Sequence, residues 1–298
     1  MALPTSGLHG AHLRSDLERV LGRRRVTNAV TSKEVMPLWR GVLVESARLL
    51  DPWTRASAAL LTAGPRAVVS GVTAAHLHGC RAVESPAVHI LVPYGCETRS
   101  RDGLVVHRGR AFADDSVELD GVRVLPLDRV IADMLCTLPA RDALALADEA
   151  LRLVGDPADT FRKQVARRIE RRHDPRGTVR AAGLLDLTSA GVDSPAESWI
   201  RLMIVEQGLP VPEVNWEIRG LDDRLLYRLD LAWPQLRIAL EYDGYAAHAG
   251  HEAEDRARRA DLEARGWIVV VVRKEDLRVF TPVITALRAA FARRGYTG

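Results

Sequence analysis

Asp230-Leu-Ala-Trp-Pro-Gln-Leu-Arg-Ile-Ala-Leu-Glu241-Tyr-Asp243-Gly-Tyr-Ala-Ala-His248 sets one carboxylate, then a carboxylate pair, then a histidine along what reads as a two-stranded ribbon. Residues two apart share a face of a pleated strand. Arg228, Asp230 and Ala232 are therefore expected on one side of a strand 225–233, and Ala239, Glu241 and Asp243 on one side of a strand 236–243. Pro234-Gln235 suits a tight connection, which pairs the strands antiparallel and brings both sets of carboxylates to the same side. Leu229, Leu231, Ile238 and Leu240 then make the opposite, core-facing side. Crowded carboxylates repel one another unless a cation neutralises them, and hard oxygen donors select Mg²⁺ or Mn²⁺ over zinc. The same residues also read as edge-strand acids, solvated or paired with Arg228 and Arg237.

The chain has 298 residues, enough for two domains with separate cores. With 47% hydrophobic and 27% charged residues it has the composition of a soluble globular protein. The run Trp267-Ile-Val-Val-Val-Val272 is far too short to span a membrane and reads as a buried strand. No secretory signal is visible near the start, and Cys80, Cys96 and Cys136 are odd in number without a C-x-x-C. Both observations lead to the expectation of reduced thiols and a cytoplasmic protein without a membrane. His248 and His251 lack a third ligand at zinc spacing, and no phosphate-binding glycine loop or nucleophile elbow is present.

The net charge of +3 is small, but eight basic residues stand against two acidic ones between Phe161 and Arg180. Arg167, Arg168, Arg171 and Arg172 in that stretch suit phosphate contacts; a solvated helix between domains is the other reading. Composition breaks divide the chain into 1–55 (helix, basic Arg23-Arg24-Arg25 turn, extended runs 26–30 and 38–44), 56–155 (alternating helices and strands), a basic linker helix 156–178, and 179–298. The first segment has the order of a winged helix-turn-helix. The last reads as helix 195–207, strand 214–218, the ribbon, helix 252–265, strand 267–273 and helix 283–294, an α/β core. Ser194-Pro195-Ala196-Glu197 is a helix start with a capping-box carboxylate.

Asp174-Pro-Arg-Gly177, Ser194-Pro-Ala-Glu197-Ser, Gly208-Leu-Pro-Val-Pro212, Arg228-Leu-Asp230-Leu-Ala-Trp-Pro234, Glu241-Tyr-Asp243-Gly, His248 and Asp255-Arg-Ala-Arg258…Leu262…Gly266-Trp267 together resemble the uncharacterised family 559. That family is similar to the very-short-patch repair endonucleases of the PD-(D/E)XK superfamily. The likeness covers about residues 174–298 and implies a restriction-endonuclease-like α/β core there, behind the N-terminal α+β, winged-helix-like part that the first segment's element order suggests. Residues from about 20 to 155 resemble the antitoxin of abortive-infection type IV toxin–antitoxin systems. The carrying stretches there are Ser70-Gly-Val-Thr-Ala-Ala-His76-Leu-His-Gly79, His89-Ile-Leu-Val-Pro93, Val105-Val-His107-Arg108 and Leu125-Pro126…Asp133.

The nuclease resemblance implies Asp230, Glu241 and Glu197 as ligands of Mg²⁺ or Mn²⁺, Asp243 in the slot where the superfamily keeps lysine, and His248 as base or water orienter. Arg258, with Arg256 and Arg259 beside it, would hold phosphate or brace the acids. The expectation is a metal-dependent DNA endonuclease with an N-terminal DNA-binding module, in which a homodimer would serve double-strand cleavage. The alternative is a non-catalytic DNA-binding regulator akin to the type IV antitoxins, with a degenerate nuclease fold and a nucleotidyltransferase-like toxin as partner.

Overall fold

A computed structural model describes residues 8–109, 115–244 and 252–296. The chain is a mixed α/β protein whose contacts divide into two compact units, Met1–Thr137 with Thr160–Ala181, and Leu138–Asp159 with Ala182–Gly298. None of the described helices is long and apolar enough to cross a membrane.

The first unit starts with β1 (Ala11–Leu13), α1 (Arg14–Leu21), α2 (Arg23–Thr31), β2 (Val35–Trp39) and β3 (Val42–Glu45). The strands form an antiparallel sheet in the order β1-β3-β2. Leu17, Val26, Ala29, Val35 and Leu43 close a small core beneath the two helices. The extended run expected at 26–30 is therefore helix: β-branched Val and Thr favour strands only weakly, and the helical spacing of Val26, Ala29 and Val30 puts them on this core. Gly22, at φ +84°, ends α1 and opens α2 with no other residue between them. The basic Arg23-Arg24-Arg25 turn is consequently the first turn of α2.

There follow α3 (Pro52–Ala63), β4 (Val68–Val69), α4 (Gly71–Leu77), β5 (Val88–Val92), β6 (Leu104–Arg108), β7 (Val117–Leu119), β8 (Val122–Val124) and α5 (Leu127–Thr137). Asp51 caps α3, its carboxylate accepting the Trp53 N–H at 2.9 Å, with Pro52 in the first turn. The strands make a mixed five-stranded sheet, β6-β5-β4-β8-β7.

Helix α6 (Ala140–Val154) groups with the second unit and α7 (Ala158–Glu170) with the first, although α6 reads in sequence with the middle segment and α7 as a linker. Ion pairs explain both placements. Arg168 of α7 binds Asp128 at 2.7 Å and Asp115 at 2.9 Å, and Arg172 binds Asp133 at 3.1 Å. Asp148 of α6 is bonded within the second unit by the backbone N–H of Ser189 and the hydroxyl of Ser198, each at 2.7 Å, and sits 3.4 Å from the Arg201 guanidinium. Asp174-Pro-Arg-Gly177 forms a turn in which Asp174 accepts from Arg176; a Cβ on Gly177 would collide with the carbonyl oxygen of Cys136.

After α8 (Thr178–Leu187), the second unit runs α9 (Pro195–Glu206), β9 (Glu213–Arg219), β10 (Leu225–Trp233), β11 (Ile238–Asp243), α10 (Glu252–Ala264), β12 (Ile268–Arg273) and α11 (Thr281–Arg293). The sheet order is β12-β11-β10-β9, with β11 and β12 parallel and the other neighbours antiparallel. Pro234–Leu236 make a single 3₁₀ turn and Arg237, at φ 48°, completes the reversal. Leu231, Trp233, Ile238 and Leu240 face one core with Ile200, Val283 and Leu287. Ala232 and Ala239 face the other, with Leu262 and Trp267.

Leu229 departs from the expected alternation by packing with Ala232 and Ala239 rather than with Leu231. On β9, Val214 opposite Leu231 lies in the first core and Trp216 opposite Leu229 in the second. Both strands thus exchange sides between these pairs, where Asn215 at φ 50° stands across from Asp230. A residue in the left-handed region cannot continue the pleat, so the side-to-side count restarts there.

Candidate active site

The exchange of sides puts Asp230 where the β10–β11 ladder ends, just beyond the pair Leu231–Leu240. Its Oδ2 accepts the N–H of Tyr242 at 2.8 Å, taking the place of a ladder carbonyl. Glu241 therefore neighbours Asp230 directly, and the Asp230 carboxylate raises the cost of ionising Glu241. Burial pushes the Asp230 carboxyl above the usual carboxylate range, against the pull of the Tyr242 N–H, Arg258 and Arg228. Burial pushes Glu241 up to about 7, with Arg258 pulling down, the Asp230 carboxylate pushing up, and the Asp230 N–H and Arg259 pulling down.

Arg258 of α10 meets this pair from one side. Its Nη2 donates to Glu241 Oε2 at 2.7 Å and to the carbonyl of Arg228 at 2.9 Å, and its guanidinium lies 5.6 Å from the centre of the Tyr227 ring. The helix salt bridge to Asp255 that sequence spacing allows is replaced by this contact across to β11. Glu241 Oε1 is buried and has no hydrogen-bond partner among the described residues, an expensive condition for a carboxylate. Glu241, Asp243, Asp255, Arg258 and Arg259 line a cleft of about 180 Å³ floored by Leu262 and Val271. Asp243 is exposed at the end of β11, on the same side as Glu241.

Glu197 is brought near but turned to another task. Its Oε1 accepts from the Ser194 hydroxyl at 2.6 Å and its Oε2 from the Asp193 N–H at 3.1 Å, while Ser194 caps α9 through the Glu197 N–H. Burial raises its carboxyl and Asp230 adds to that rise, so the three acids share one electrostatic neighbourhood. Among the described residues, however, no group of three or more His, Cys, Asp and Glu side chains is arranged to hold a metal ion. Of the three expected ligands, Asp230 and Glu241 adjoin each other, while both Glu197 oxygens accept hydrogen bonds at the start of α9. His248 lies outside the described residues.

Comparison with known proteins finds two uncharacterised proteins of Mycobacterium tuberculosis, Rv2248 of strain H37Rv and MT2308 of strain CDC 1551, each 30% identical over 270 residues. The alignment covers 86% of this chain and 92% of each relative. The chain belongs to their family. The similarity runs through nearly the whole of each family member, so both units are shared rather than one. No family model matches the chain. Among solved structures, the M. tuberculosis protein RV2827C overlays with a TM-score of 0.43 at 16% identity, over 70% of this chain and 83% of its own.

The expected DNA-contacting arginines separate into two sets. Arg256 and Arg259 are exposed on α10, with Arg258 half-buried at the carboxylates. On α7 and just past its end, Arg167 and Arg171 are exposed, whereas Arg168 and Arg172 are tied to Asp128, Asp115 and Asp133. Sequence spacing gives no sign of the role of Arg228, whose guanidinium binds Asp193 at 2.7 Å and whose carbonyl anchors Arg258. The same holds for Tyr227, which donates to Asp261 at 2.8 Å beneath that arginine.

Proposed function

We propose that this protein is a metal-dependent DNA endonuclease whose N-terminal unit carries a winged-helix DNA-binding module. The observation that carries the reading is the half-buried pair Asp230–Glu241, with the Glu241 Oε1 atom buried and without a hydrogen-bond partner among the described residues, on a core whose helix-β-β-β-helix-β order suits the restriction-endonuclease type. Two desolvated carboxylates of raised affinity for protons fit a hard divalent cation, and Mg²⁺ is commonly held by one or two carboxylates together with substrate phosphate and water. Asp230 and Glu241 would hold it, and when bound it would supply charge neutralisation at the scissile phosphate. Arg259 and Arg258 offer guanidinium donors to the phosphate oxygens from α10. Glu197 positions α9 through its cap and adds negative potential beside Asp230. His248, in sequence just beyond β11, is the proposed acceptor of the proton from the attacking water.

Purified protein with Mg²⁺ or Mn²⁺ should nick at least one of supercoiled, mismatched, branched or single-stranded DNA. Asp230→Ala should lower that rate by at least about a hundredfold, the scale of losing a principal charge-stabilising group. Absence of cleavage of every substrate with both metals sinks the proposal.

A second reading, a DNA-binding regulator with a silent nuclease core, is favoured by one specific contact: the Arg258 guanidinium already neutralises Glu241. Under that reading the chain protects an operator near its own gene, no cation binds at Asp230, and a toxin of nucleotidyltransferase type is the expected partner. Footprinting separates the two readings.

A further inference from the structure

Helix α2 exposes a polar stripe that the fold leaves without employment. Val26 and Ala29 turn inward, and Arg24, Thr27, Asn28 and Thr31, spaced three and four residues apart, are exposed along one side. Thr27 and Thr31 donate their hydroxyls to the carbonyls of Arg23 and Thr27, each at 3.0 Å, so their methyl groups are the free ends. The acids of α1 are already paired, Glu18 with Arg14 at 2.9 Å and Asp16 with Arg19. Among the described residues Arg24, Arg25 and Arg40 make no ion pair or side-chain hydrogen bond, and none is made by the Asn28 amide. Arg40 sits at the tip of the β2–β3 hairpin, where Gly41 at φ +80° lets the chain reverse. Alongside it lies a groove of about 360 Å³ lined by Arg14, Leu38, Trp39 and Arg40.

We infer that this face is a base-reading surface for duplex DNA and that the protein selects a sequence, not merely a DNA shape. The inference rests on the proposed DNA-binding role of the first unit and adds how it is exercised. An α-helix fits the major groove, and its exposed side chains match the pattern of base edges there: arginine pairs two-pronged with guanine, asparagine with adenine, and threonine methyls pack on thymine methyls. Arg24 and Asn28, one helical turn apart, specify a guanine and an adenine; Thr27 and Thr31 favour thymine. Arg25 and Arg40, off the stripe, seat on phosphates and set register without choosing sequence. Charge complementarity commits the surface to a polyanion, since the stripe carries no acid of its own and the acids of α1 are engaged by arginines, Asp16 by Arg19 and Glu18 by Arg14 and by Arg23 of α2.

The test is selection from a random duplex pool by the full chain in EDTA, followed by binding of the selected duplex at fixed salt. A selected motif containing guanine and adenine is expected. Arg24→Ala should relax the guanine position and Asn28→Ala the adenine position, each cutting discrimination by about 5- to 150-fold. Arg40→Ala should weaken selected and scrambled duplexes alike and lower the slope of log affinity against log salt by about one. Unchanged thermal midpoints in all three variants certify their folding. Binding without sequence preference, or a preference that survives both Arg24→Ala and Asn28→Ala, overturns the inference and leaves the DNA-binding role standing. No duplex binding even at low salt removes both.

Discussion

Glu241 condenses the chemistry of the site into a single titration. Its carboxyl keeps a proton up to about pH 7 in the folded chain, against an ordinary value of 4.5. Between those limits the folded state binds more protons than the unfolded one, so raising the pH through that window removes stability. At about 1.4 kcal/mol per unit the loss is at most about 3.5 kcal/mol, with the opposing pull of Arg258 already included. The thermal midpoint of the metal-free protein should therefore fall from about pH 5 to about pH 7.5, and fall less in Glu241→Gln. Mn²⁺ should restore the wild-type midpoint at the upper pH and leave the variant unmoved. Parallel pH profiles for the two proteins would show that this carboxyl is not the group being titrated.

Elements owe their positions to a few buried polar contacts that sequence pattern alone does not announce. The side chains of Asp148 and Arg201 are each 2% exposed, and Asp148 fastens α6 to α9 and to the Ser189 N–H at the end of α8. Removing one member of such a pair strands the other charge in a dry interior. Asp148→Ala is expected to destabilise the protein by about 3–5 kcal/mol in urea unfolding, and Asp148→Asn, which keeps hydrogen bonds to Ser189 and Ser198, by less. Equal losses would mean that volume rather than charge is at stake. The same contrast explains what is legible in the sequence. Helices α3 to α6 and α9, and strands β5, β6, β10 and β11, follow from apolar period, caps and glycine or proline punctuation. The α2 helix reads as a strand because its Val and Thr content mimics one, and the inversion at Asn215 is invisible because nothing in a period-two pattern marks a left-handed asparagine. Spacing finds Asp230 and Glu241, whereas the fastening of Glu197 to its own helix start is decided by side-chain geometry.

At the scale of the whole molecule, a net charge of +3 gives only a weak field, so the proposed binding of DNA would rest on local sets of unpaired cations. Helix α7 shows how much the raw count overstates such a set. Arg168 and, just past its end, Arg172 are occupied by aspartates, and Arg167 and Arg171 are the exposed members. These roles predict opposite phenotypes. Arg168→Ala should lower the thermal midpoint, because it leaves Asp115 and Asp128 short of their shared cation, and should leave the salt dependence of DNA binding where it was. Arg167→Ala with Arg171→Ala should leave the midpoint unmoved and lower the salt slope by about two, one for each phosphate that is no longer neutralised, since each neutralised phosphate releases nearly one counterion. Binding isotherms on one duplex from about 50 to 200 mM salt measure the slope directly. If the double variant keeps the full slope, α7 is a solvated face, and the phosphate contacts belong to α2, the hairpin and α10.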